Sequence, residues 1–133
     1  MRKLWTSLLS RDIDRAAAFY RLLGGFIELG RTDTYVLLGD DETARSGLTI
    51  IDWVSELVPK GARGVPEGSY LTLVVDDIEA ALEIVRDFEV EIMESPVETG
   101  PSGRAVVRDI DGRIVEIVTP DTHLVVPPRE TVA

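Results

Sequence analysis

The sequence predicts an α+β fold made of two tandem β-α-β-β-β modules, each a small mixed sheet with one helix, enclosing a groove. Three observations predict it. First, the chain resembles itself at an offset of 65 residues: Leu8 matches Leu73, Asp12 matches Asp77, Ile13 matches Ile78, Ala16 matches Ala81, Arg21 matches Arg86 and Ile27 matches Ile92. Similarity at a fixed offset is the signature of a repeated supersecondary unit. Second, each copy carries one amphipathic helix behind an acidic cap. Third, a glycine- and proline-rich stretch, VPKGARGVPEG at 58–68, separates the copies.

Residues 4–9 read as the first strand. Asp12 then caps a helix over 13–23, because a short acceptor side chain satisfies the first free N–H groups. Ile13, Ala16, Ala17, Tyr20 and Leu23 share one stripe of that helix, and Gly24-Gly25 ends it. Three strands follow at 26–30, 34–38 and 48–54, with Asp40-Asp41 as a turn. The second copy repeats this order. Its first strand is 70–75, its cap Asp76 or Asp77, and its helix 78–88, with Ile78, Ala81, Leu82 and Val85 inward. Strands at 90–94, 104–109 and 114–119 complete it, with Asp111-Gly112 as a turn. The boundaries are one domain over 1–133, module one 3–54, linker 55–68, module two 69–119 and tail 120–133. The tail is expected to run over the surface. A helix covers one face of each sheet, so the other faces are expected to meet at a groove where a ligand sits.

Composition narrows the function. The net charge is −10, from 24 acids and 14 bases, which disfavours phosphate backbones and so nucleic acid. No apolar run approaches the ~20 residues that span a bilayer, and no signal peptide or membrane contact is expected. The chain has no cysteine, which removes disulfides, thiolate metal sites and cysteine nucleophiles and fits the cytoplasm. Phosphate-loop spacing is absent, and the lone histidine, His123, lies in the tail, away from any nucleophile pattern.

The stretches RDIDRAAAFYRLLGGF, VDDIEAALEIVRDFEVEI and SGRAVVRDIDGRIVEIV carry a family resemblance over residues 4–119. The chain resembles the vicinal-oxygen-chelate superfamily, which includes glyoxalase I, extradiol dioxygenases, fosfomycin-resistance enzymes and bleomycin-resistance binding proteins. The closing turn departs from the family's usual Asp-Pro-Asp-Gly-Asn: Ile110 stands for the proline and Arg113 for the asparagine.

The resemblance implies where metal ligands would stand in a metal-using relative. The first-strand ligand lies seven residues before the capping aspartate, which gives Trp5 and Tyr70 here. The last-strand ligand of the second copy falls on Glu116. At the same offset its partner is Ile51, or Asp52 after a one-residue shift. Indole, alkyl and neutral phenol groups are poor ligands for divalent metals. One carboxylate, or two if Asp52 is counted, falls short of the three or four ligands that zinc or iron needs, so neither metal nor cofactor is expected.

Strand alternation places Trp5 and Ser7 on the groove face, with Thr49, Ile51 and Trp53 from the fourth strand. Tyr70, Thr72, Arg104, Arg108 and Glu116 are the candidates from module two. Such a groove offers aromatic faces for a planar or cationic ligand and a carboxylate for a basic group. The resemblance points to the bleomycin-resistance branch, which binds rather than reacts, and which forms homodimers. The expected partners are therefore a planar aromatic or cationic small molecule and a second copy of the chain. Two alternatives stand beside this: a glyoxalase-like lyase, isomerase or dioxygenase-type enzyme with Glu116 as candidate general base, and filled space in which Glu116 meets Arg104 or Arg108.

Overall fold

The computed structural model of the chain describes residues 3–64 and 68–122. Module one holds β1 (Thr6–Ser10), α1 (Ile13–Gly24), β2 (Ile27–Arg31), β3 (Tyr35–Gly39) and β4 (Gly47–Asp52). Module two holds β5 (Leu71–Val74), α2 (Ile78–Asp87), β6 (Ile92–Glu94), β7 (Arg104–Arg108) and β8 (Ile114–Val118). The sheets run β1-β4-β3-β2 and β5-β8-β7-β6. β1 and β5 lie parallel to the last strand of their own module, and the other pairs are antiparallel. This is the α+β class and the doubled module that the repeat predicts.

The helices start where their caps direct. The Asp12 carboxylate accepts from the Arg15 N–H. In the second copy the cap is Asp77, which accepts from the N–H groups of Glu79 and Ala80. Gly25 ends α1 at φ 73°, a left-handed conformation that suits glycine.

The buried stripes of α1 and α2 join Leu8, Val36 and Ile50 of one sheet and Ala105, Val115 and Ile117 of the other in a single apolar cluster. The helix-covered sides of both sheets therefore share one core. Phe19 sits at its centre, edge-on to Tyr20 at 5.2 Å and to Phe88 of module two at 5.4 Å between ring centroids. Among the described residues no helix is long and apolar enough to cross a membrane.

Three features differ from the sequence-based expectation. β4 stops at Asp52, because a turn closes there: the Asp52 carbonyl accepts from the Ser55 N–H and its carboxylate from the Val54 N–H. Trp53 is thus a turn residue, and strand alternation does not set its direction. β6 is only three residues long. The stretch after β4 is more ordered than a bare linker, with Val58 buried, a 3₁₀ turn over Lys60–Ala62, and Arg63 bonded to the carbonyls of Ser55 and Val58. Residues 65–67 of the linker and 123–133 of the tail, His123 among them, lie outside the described residues.

Candidate functional site

The strand register decides which residues share a face. Ser7 pairs with Thr49, and Thr49 with Leu37. In module two Thr72 pairs with Glu116, and Glu116 with Val106. Directly paired residues point to one side of a sheet. The residue of module one that stands where Glu116 stands in module two is therefore Thr49, at an offset of 67, and neither Ile51 nor Asp52. The segment between helix and last strand is two residues shorter in the first copy. A signal for this lies in the sequence: the inward pair Leu48 and Ile50 matches Val115 and Ile117 only at that offset.

Each sheet carries one polar cluster on the face away from its helix. In module one the Trp5 indole N–H donates to the Thr49 hydroxyl at 2.8 Å. The Trp5 ring lies so close over Gly47 that a Cβ there would come within 2.6 Å of it. The Lys3 ammonium stands 4.9 Å from the ring centroid. Trp5 is half-buried, Ser7 exposed and Ile51 buried at 7% exposure.

In module two Glu116 is the centre. Thr72 donates to it at 3.0 Å, and Arg104 donates through Nε at 2.6 Å. The Glu116 side chain is 14% exposed, and that of Arg104 48%. Arg104 also reaches Glu94 at 3.3 Å, which spans the sheet from β6 to β8. Hydrogen bonding to Glu116 raises the Arg104 guanidinium above its ordinary value. Arg104 and Glu94 border a hollow of about 390 Å³ that Glu98 and Asp121 also line, so its charge is mainly acidic.

The remaining candidates sit elsewhere. Trp53 is 47% exposed, with the Arg11 guanidinium 4.9 Å over its ring. Tyr70 precedes β5 and is 58% exposed. Arg108 pairs loosely with Glu91 at 3.6 Å and donates to the Gly112 carbonyl. The structure thus brings Thr72, Arg104 and Glu116 together, sets Trp5 on Thr49 in the other sheet, and places Trp53, Tyr70 and Arg108 in neither cluster.

The places that carry metal ligands in metal-using relatives now read Trp5, Thr49, Tyr70 and Glu116. One carboxylate, already bonded to a guanidinium, does not suit a divalent metal. Among the described residues no three His, Asp or Glu side chains gather where they could hold an ion.

A further cluster escaped the sequence reading. Asp109, at 3% exposure, accepts from the Tyr20 hydroxyl, from Arg113 Nη1 at 2.6 Å, and from the N–H groups of Asp111 and Arg113. Arg113 Nη2 donates to the Leu9 carbonyl of β1, and the Arg11 N–H donates to Asp111. The closing turn of module two is thereby tied to the helix and first strand of module one. Its signal in the sequence is Arg113 itself, the departure from asparagine in DIDGR.

Comparison with known proteins agrees with this architecture. The pattern described as Glyoxalase/Bleomycin resistance protein/Dioxygenase superfamily matches residues 4–117. No curated protein matches the chain. A protein from the mobile metagenome of V. Pseudocholerae, VPC_CASS1, is 27% identical, with a TM-score of 0.64 over 90% of this chain and 95% of that one. A lactoylglutathione lyase from Agrobacterium tumefaciens is 19% identical, with a TM-score of 0.59 over 90% and 93%. TnmS3, an antibiotic binding protein from Streptomyces sp. CB03234, is 22% identical, with a TM-score of 0.59 over 90% and 96%. The last two share the fold with this chain. With both modules matched and the helices, strand order and closing turn in place, the chain belongs to the glyoxalase/bleomycin resistance protein/dioxygenase superfamily.

Proposed function

We propose that this chain is a metal-free small-molecule-binding protein of the glyoxalase/bleomycin-resistance type. It sequesters an aromatic or cationic compound and works as a cytoplasmic homodimer. One observation carries the reading: the four places where metal-using relatives keep ligands hold an indole, a hydroxyl, a phenol and a single ion-paired carboxylate. Such a set stacks and hydrogen-bonds better than it coordinates. The acidic hollow beside Arg104 supports a cationic group on the ligand. The antibiotic-binding relative supports sequestration as the mode of action. In this reading a ligand cation meets Glu116 while Arg104 turns to Glu94.

The enzymatic alternative needs a second titratable group beside Glu116, acting on one substrate. Among the described residues Thr72 and Arg104 hydrogen-bond Glu116, and neither serves as a general acid at neutral pH.

Titration of the full chain with a quinolinium cation, followed by tryptophan fluorescence, tests the reading. Saturable quenching that Glu116→Gln weakens at least about tenfold, ~1.4 kcal/mol, is expected. Stoichiometric metal in the purified protein would overturn the metal-free reading, and turnover of a small carbonyl substrate would favour the enzyme.

A further inference from the structure

β1 and β5 are the outer strands of their sheets. Among the described residues no backbone hydrogen bond joins one to the other. Between these two free edges lies a hollow of about 250 Å³. Phe26, Leu48, Leu71 and Leu73 form its apolar wall, and Thr6 and Ser46 add hydroxyls. Among the described residues no charged side chain lines it.

These features select a ligand class. A free strand edge presents N–H and C=O groups that water or a ligand must satisfy. A cation or anion entering would lose hydration and meet no opposite charge. A small neutral molecule loses little on entry. Its apolar body covers the leucines, and one hydroxyl bonds a strand edge or Thr6. The volume is below the ~300–1,000 Å³ of a drug-sized site, which favours one ring over several.

We propose that this seam between the modules is a binding site for a small neutral aromatic alcohol or phenol. It is separate from the Glu116 cluster and does not depend on the function proposed for it. Thr72 borders both, since it lines the seam and donates to Glu116. The two sites are nonetheless told apart by their own reporters: Leu48, Leu71 and Leu73 for the seam, Arg104 and Val106 for the other.

Two-dimensional NMR of the full chain, titrated with benzyl alcohol and separately with benzylammonium, tests the proposal. Saturable shifts at Leu48, Leu71 and Leu73 with the alcohol, absent with the ammonium, are expected. Thr6→Phe fills the hollow and should weaken alcohol binding about tenfold or more. Ser46→Phe, at an exposed position, serves the same end if Thr6→Phe does not fold. Absence of shifts at the three leucines overturns the site, and so does undiminished binding by a folded filled variant. An equal response to both probes overturns the neutral class. Shifts confined to Arg104 and Val106 overturn the seam but leave the Glu116 reading standing. Seam binding without quinolinium binding does the reverse.

Discussion

Asp109 shows at the residue scale how a buried charge is held. Its carboxylate is almost wholly out of water, yet it accepts from a phenol, a guanidinium and two backbone N–H groups. Removing the guanidinium leaves a buried carboxylate without its countercharge, which typically costs 3–5 kcal/mol. Arg113→Ala should therefore lower the unfolding free energy by about 3 kcal/mol in urea titrations. Tyr20→Phe leaves the ion pair intact and should cost about 1–2 kcal/mol. The pH dependence separates the two. Burial, then the charge on Asp109, raises the Tyr20 hydroxyl well above its ordinary 10.0. The folded state thus keeps a proton that the unfolded chain releases. The stability from Tyr20 is fully present below that ordinary value and is lost as pH rises beyond it. The stability gap between wild type and Tyr20→Phe should be constant up to about pH 10 and shrink as pH rises above it, whereas a gap that stays constant above that value would show that the phenol is not held neutral. None of this was visible in composition or periodicity. Arg113 stood out only as a mismatch, because the partners of a buried turn come from the other module.

Elements were the most legible level. Helix caps act within four residues, so Asp12 and Asp77 speak in the local sequence. The choice between Asp76 and Asp77 needed geometry, and it can be checked in solution. Asp77→Ala removes the acceptor for two N–H groups and should cost about 1 kcal/mol. Asp76→Ala, at an exposed site outside the cap, should change stability by less than about 0.5 kcal/mol. Equal losses in thermal or urea melts would mean that the cap had been assigned to the wrong residue. Strand ends were less legible. β4 stops one residue before Trp53 because Asp52 folds its own side chain into the turn, and alternation carried past that point misplaces the indole. The correspondence of Thr49 with Glu116 was missed for a related reason: a repeat offset measured on helices is not bound to persist through loops of unequal length.

The sequence resembles itself twice, but that likeness does not say how the copies dock, since docking rests on contacts far apart in the chain. Arg113 reaches Leu9 across 104 positions, and Phe19 meets Phe88. For the same reason the expected convergence of Trp5, Tyr70 and Glu116 was not readable: faces follow from alternation, but their mutual placement follows from the docking. The docking itself makes a prediction. One apolar cluster runs through both modules, and the buried turn of module two clasps α1, so neither sheet can lose its core alone. Unfolding should be a single cooperative transition. Both tryptophans lie in module one, whereas the helical circular dichroism signal comes from α1 and α2 alike. Urea curves followed by fluorescence and by circular dichroism should therefore coincide in midpoint and slope. A second transition seen only by circular dichroism would mean that module two unfolds independently and that the shared core is not what couples the repeats. Arg113→Ala should bring the protein closest to such a split, since it cuts the clasp while leaving each sheet intact.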